Sequence, residues 1–492
     1  MIFKNCLLRF AFVFGILFIY GQGMAYEKTI TTSYYVSNAG DDNNAGTISA
    51  PFKTIQKINS LSLKPGTVVY FKGGELFKGT LIIGADKAGT KVHPVAISSF
   101  GKGLATITGD SLRAISVYKS NYIFIKNLKL EGLGRKTGNH ENGIAIISSE
   151  NIWVENLDIS GFQKSGLLID SSSWVYAHYV FVHDNGSAGI TVEGRNSKKD
   201  SRNIKIRNCR AENNPGDPTK LDNHSGNGIV VGHCTNVIIS GCTATNNGWD
   251  MPRIGNGPVG IWCYEADSVT IEYCLSYKNK TSKGGADGGG FDLDGGTTNS
   301  SIQFCFSYGN QGSGYCIFQY WGASPWHDNI IRNNISENDG TVSDSQAGLY
   351  IWNSSDDPKQ FNNCKVYGNI VYNSKVAAIS FSDKSESGGF RFYNNIFVGK
   401  DSLIKGIDLL GKCKFLRNDW WSLTNGFNMH GAKDFKTWVV KSGQEQSGGR
   451  ILGSNVNPAF KNPGNAALSK ANQIKSFSGY QFSKTAKFIG RM

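Results

Sequence analysis

From residue 142 onward the chain alternates short apolar strands with turns rich in asparagine and glycine. A glycine followed by alternating apolar positions recurs at 143–146, 166–169, 189–192, 228–231, 260–263, 290–293, 314–317 and 348–351. Each is followed by a second short strand and a turn, as in NIKIRNCRAENN, NVIISGCTATNN and SVTIEYCLSYKN. Period-two runs punctuated by Asn and Gly, without helical spacing, predict strands rather than helices. One such coil cannot bury its apolar face alone. Coils stacked about 4.8 Å apart bury a continuous core and pair their backbones with neighbours. The pattern therefore predicts an all-β parallel β-helix, with a period made irregular by loops of different length. Aligned turns place Cys209, Cys242, Cys274, Cys305, Asn334, Asn369 and Asn395 in one column. Asparagines there would satisfy turn backbone groups, and the cysteines read as small apolar members of the same stack.

The same period assigns the chemistry. In GFDLD, Phe291 and Leu293 point inward, so Asp292 and Asp294 point outward, about 6.7 Å apart along the strand. Equivalent register puts Trp262 and Tyr264 outward in one neighbouring coil, Phe318 in the next, and Tyr350 and Trp352 beyond it. Glu193 shares this strip, and His233 follows the strand that ends at Gly232. The inserts 215–226, 248–257 and 280–289 each precede one of these strands and would wall a groove with His224, Trp249, Asp250, Arg253, Lys283 and Asp287. Carboxylates this close repel, which raises at least one pKa and suits an acid/base pair. Asp287, Asp292 and Asp294 would equally suit calcium, which takes hard oxygen ligands. Solvated surface is the third reading of the same residues. Asp292, Asp294, Asp287 and Glu265 are the catalytic candidates. Trp262, Tyr264, His233, His224, Arg253, Lys283, Phe318, Gln319, Tyr350 and Trp352 are the expected substrate contacts.

Composition narrows the partners. Sixty glycines against eleven prolines agree with many short strands and tight turns. The formal net charge of +13 leaves nucleic acid, anionic membrane and acidic polysaccharide open. The absence of a dense Lys/Arg block argues against nucleic acid. Lys4 and Arg9 adjoin an apolar run at 10–20 that is too short to span a bilayer, and Ala25 ends a small-residue cleavage site. The expectation is a signal peptide at 1–25 and an exported, secreted or periplasmic monomer without membrane insertion. Nine cysteines remain once Cys6 is removed, an odd count without zinc-site spacing, so free thiols are expected.

Residues 34–75, YYVSNAGDDNNAGTISAPFKTIQKINSLSLKPGTVVYFKGGE, resemble the N-terminal cap of the pectate-lyase-like superfamily of right-handed parallel β-helix proteins. The resemblance implies a helix near 51–60 covering the open end of the first coil. It divides the mature chain into cap and first coils at 26–115, a β-helix core with a substrate groove at 116–400, and an irregular C-terminal cap at 401–492. Relatives of this fold differ in chemistry. Polygalacturonase-type hydrolases carry a GHG motif that Gly232, His233 and Cys234 echo only in part. Calcium-dependent pectate lyases follow a GxDL coil with a coil bearing a basic lysine, and Cys316 stands in that lysine's place here. Other β-helix hydrolases use outward Asp and Glu, which Asp292, Asp294 and Glu265 match. The resulting expectation is a glycoside hydrolase requiring no cofactor, with Asp294 as acid and Asp292 as base or nucleophile. The alternatives are a lyase acting on a uronic-acid polymer, with or without calcium, and a non-catalytic glycan-binding protein.

Overall fold

The computed structural model describes residues 30–481, apart from 196–199, 356, 383–387, 407–411, 425–426, 428 and 430. The expected signal peptide and its cleavage site lie outside the described residues. No described helix is long and apolar enough to cross a membrane.

The first strand, Thr32–Val36, pairs in parallel with Thr67–Lys72 and starts a stack of coils. One face of the stack, called here the groove sheet, has twelve strands running from Leu81–Ile83 to Ile404–Lys405. The other two faces, the second and third sheets, are joined by long strands such as Glu150–Ser160 and Ser173–His183. These strands turn a corner at Asn156 and Tyr179, whose φ values of 50° and 51° are left-handed. Asparagine tolerates that conformation better than most residues, which explains its recurrence at the turns. The result is the expected parallel β-helix, 46% strand and 6% helix.

Period two holds along the groove sheet. Ile261, Cys263, Phe291, Leu293 and Ile317 all face a single continuous core and are fully buried. The cysteine and asparagine column is also present. The backbone N of Cys242 meets Cys274 Sγ at 3.4 Å, and that of Cys274 meets Cys305 Sγ at 3.4 Å. Asn334 Oδ1 then accepts from Cys305 N at 2.9 Å, and the ladder continues through Asn369, Asn395 and Asn418 to Glu445. All nine described cysteines are buried, and none forms a disulfide. A second ladder, not anticipated from the sequence, runs through Asn185, Asn214, Asn247, Asn279 and Asn310 to Asp339.

Helix Ile55–Ser60 covers the first coil with Ile55 and Ile58, and Thr54 caps it by accepting from Lys57 N. At the far end the stack continues past residue 400, through Cys413–Leu416 and Asp419–Ser422. Helix Phe435–Ser442 closes it, with Trp438 against Trp420 at 5.8 Å. The remaining tail does not stay on the last coils, as expected of a cap. It runs back along the third sheet, where Tyr480 donates to Glu337 Oε2 at 2.5 Å and Ala471 N to Thr243 at 3.1 Å.

Candidate active site

The groove-sheet register stacks Trp262, Asp292, Cys316 and Tyr350 in one outward column. Two residues on, Tyr264, Asp294, Phe318 and Trp352 form a second. The loops before these strands fold over the first column. Asp292 is only 2% exposed, and its Oδ1 has no hydrogen-bond partner. Burial, then the charges of Asp294 and Asp287, push its carboxyl well above the usual range.

Asp294 and Asp287 are half-buried and reachable. Burial raises Asp294 to about 7, against a hydrogen bond from Gly295 N at 2.7 Å, with Asp287 and Glu265 adding repulsion. Burial likewise raises Asp287 to about 6, although Gly257 N donates to it at 2.7 Å. Glu265 reaches the same place from the coil before. Its carboxylate lies over Gly296, where a side chain would collide with it. Ser324 N donates to Glu265 Oε1 at 2.8 Å, and Tyr320 OH approaches it at 3.4 Å. The Tyr320 ring lies over Gly295, and burial followed by the charges of Glu265 and Asp294 keeps its hydroxyl protonated.

Beside this cluster, Glu193 accepts from Tyr264 OH through Oε2 at 2.6 Å and pairs with His233 Nδ1 through Oε1 at 2.6 Å. Tyr264 crosses a whole coil to do so. Its ring passes directly over Gly232, and any side chain there would block it. Burial, with Glu193 next, raises the Tyr264 hydroxyl far above its ordinary value.

Farther along, Trp262 is 4% exposed and donates to Asn227 Oδ1 at 3.0 Å. The His224 ring meets it edge-on at 4.9 Å. Burial, then Lys220 and Arg253, lower His224 to about 4, so it is neutral at physiological pH.

The expected strip of open aromatic platforms needs correction. Trp262, Phe318 and Tyr350 are buried beneath loops and neighbouring rings, and only Tyr264 and Trp352 are partly accessible. Phe318 packs edge-on against Tyr350 at 5.2 Å and against Trp352 at 5.8 Å. Gln319 is no substrate contact. It is fully buried, accepting from Gly296 N at 3.1 Å and donating to Ser324 O at 3.0 Å, and so it ties the turn after Asp294 to the loop that carries Tyr320 and Ser324. Asp292 points out of the coil as expected, but the loops enclose it, so it does not meet a substrate freely. Lys283 is exposed, and Arg253 is half-buried. Asp250, expected in the groove wall, is committed to Arg135 and Lys136. Trp249 likewise donates to Asn213 at 3.0 Å.

Tyr320 and Asn227 were not singled out in the sequence. The paired glycines after Asp294 were the available signal for Tyr320, because a bare backbone marks a place where another group approaches closely. Among the described residues no three His, Cys, Asp or Glu side chains converge to hold a metal ion.

A family profile for the Pel9A-like right-handed β-helix region matches residues 34–339. A comparison with curated protein sequences finds no match. Among solved structures, a mannuronic acid specific polysaccharide family 6 lyase from the human gut microbiota aligns with TM-score 0.52 at 14% identity. The alignment covers 80% of this chain and 87% of that one. Pectate lyase Pel9A aligns with TM-score 0.40 at 14% identity, over 93% of this chain and 90% of its own. A GH136 lacto-N-biosidase from Eubacterium ramulus aligns with TM-score 0.44 at 15% identity, over 76% and 68%.

Proposed function

From the premise that this chain belongs to the Pel9A-like right-handed β-helix family, we propose that it is an exported polysaccharide-active enzyme that hydrolyses a glycosidic bond at the Asp294 cluster. The observation that carries this reading is a reachable carboxyl raised to about 7 with a second carboxyl beside it. A group that keeps its proton near neutrality can donate it to the departing glycosidic oxygen. Glu265, held by Ser324 N, is the partner that takes a proton from water or attacks the sugar carbon. Asp287 is its alternate. Asp292 is too enclosed for that role. Water supplies the hydroxyl on one product and the proton on the catalytic pair, so no cofactor enters the balance. No step is assigned to calcium.

One observation favours a second reading, β-elimination on a uronic-acid polymer. Glu193 anchors His233 through Nδ1, which leaves Nε2 for a substrate proton, while Tyr264 offers a hydroxyl beside it. A screen of neutral and acidic polysaccharides for new reducing ends, with and without a chelator, tests the assignment. Hydrolysis predicts reducing ends that survive the chelator. Activity that vanishes with chelator and returns with calcium would move elimination ahead. Glycan binding without any product would leave a non-catalytic binding protein.

A further inference from the structure

The outer face of the second sheet carries a column whose character changes along the stack. Near the N-terminal end it holds Phe124, Trp153 and Tyr176. At the C-terminal end the same column holds Lys365, Arg391 and Lys414 on three successive rungs. All three cations are exposed, and none has a carboxylate partner among the described residues. Rungs of a parallel sheet lie about 4.8 Å apart. Like charges on that spacing repel, and these heads contribute nothing to the core.

The adjacent outward column carries Tyr367, Tyr393 and Leu416. The two tyrosine rings stack 4.8 Å apart with 8° between their planes. Arg332 donates to Tyr367 OH at 3.0 Å and adds a further cation at this edge. Between the columns lies a cleft of about 450 Å³ lined by Lys365, Arg391, Phe392, Tyr393, Lys414 and Leu416. That size falls within the range of small-ligand pockets, about 300–1,000 Å³. A line of cations beside an aromatic wall is complementary to a chain of sugar rings bearing carboxylates. Rings present apolar faces to tyrosine, and carboxylates pair with Lys and Arg.

We propose that this cleft is a second glycan-binding site, separate from the carboxylate groove, that holds a stretch of uronate-bearing polysaccharide along Lys365, Arg391 and Lys414 with a sugar face against Tyr393. It lies on a different sheet from Asp294, so both sites can be occupied together. The site would tether the protein to an acidic glycan whatever bond the groove cleaves.

The test is affinity electrophoresis of the full chain through gels containing polygalacturonate, in an Asp294→Asn background so that the polymer stays intact. Replacing all three cations, as Lys365→Gln with Arg391→Gln and Lys414→Gln, is expected to weaken retardation at least tenfold. Arg391→Gln alone should produce a smaller loss. Binding by the parent should fall steeply as salt rises past about 0.15 M, where the screening length is about 8 Å. Tyr393→Ala should weaken binding while leaving the salt dependence in place. An unchanged melting temperature would show that the substituted protein is folded, as expected for exposed side chains. The proposal is overturned if the triple variant is retarded as strongly as its parent. It is also overturned if duplex DNA or anionic vesicles compete as well as polygalacturonate does. Cleavage of the polymer by the Asp294→Asn parent would count against the hydrolase assignment alone, whereas equal retardation of parent and triple variant counts against the second site, so the two failures are distinguishable.

Discussion

At the scale of single residues, the proposed hydrolysis turns on Asp294. Its carboxyl titrates at about 7 instead of the usual 3.8, so it is protonated below that value and loses its proton as pH rises through it. If Asp294 is the acid, kcat/KM should fall on the alkaline side of about pH 7. Asp294→Asn should lower kcat by about two to four orders of magnitude and abolish that limb. A pH profile of both proteins checks this. Asp292→Asn should cost less activity than Asp294→Asn, because the buried carboxyl does not reach the substrate. It should also raise the melting temperature at pH 8, since no buried charge then has to be accommodated beside Asp294. Parallel kinetics and thermal melts of the two variants read both effects. The alternation in GFDLD was enough to place these side chains outside the coil. It could not show that loops from neighbouring coils enclose Asp292 while leaving Asp294 reachable, because accessibility depends on contacts far apart in sequence. Gln319 differs, because the alternation that turns Phe318 outward turns the next residue inward, where Gly296 and Ser324 hold it.

At the scale of elements, each coil is held to the next by side-chain ladders as well as by backbone pairing. The cysteine and asparagine column was legible because those residues recur at one position in each turn. The second ladder was harder to see, since it lies in turns of variable length. Both ladders end on a carboxyl, Asp339 and Glu445, that accepts from the last asparagine. Burial raises both to about 7. The folded protein therefore binds more protons than the unfolded chain between about pH 4 and pH 7. Stability contributed by these groups is present at the acidic end of that window and is lost as pH rises through it. Asp339→Asn keeps an acceptor for Asn310 and removes the titration. Its melting temperature should exceed that of the parent by about 2 °C or more at pH 8 and converge with it near pH 4. Differential scanning calorimetry across that range is the measurement.

At the scale of the whole molecule, a rigid stack presents different surfaces on its different sheets. The groove sheet gathers Asp287, Asp292, Asp294, Glu265 and Glu193 on one side, although the chain carries a formal charge of +13. Net charge alone pointed toward acidic partners but could not say where such a partner would sit. Parallel stacking separates the two, with acid chemistry on one sheet and cations at Lys365, Arg391 and Lys414 on another. The central claim is that the groove adds water across a glycosidic bond using Asp294. Mass and ultraviolet spectra of the products formed from a cleaved polysaccharide by the parent and by Asp294→Asn test it most directly. Hydrolysis by Asp294 predicts fragments that have gained water, no new ultraviolet absorbance, and almost no product from Asp294→Asn. Unsaturated fragments, or full activity in Asp294→Asn, would contradict it.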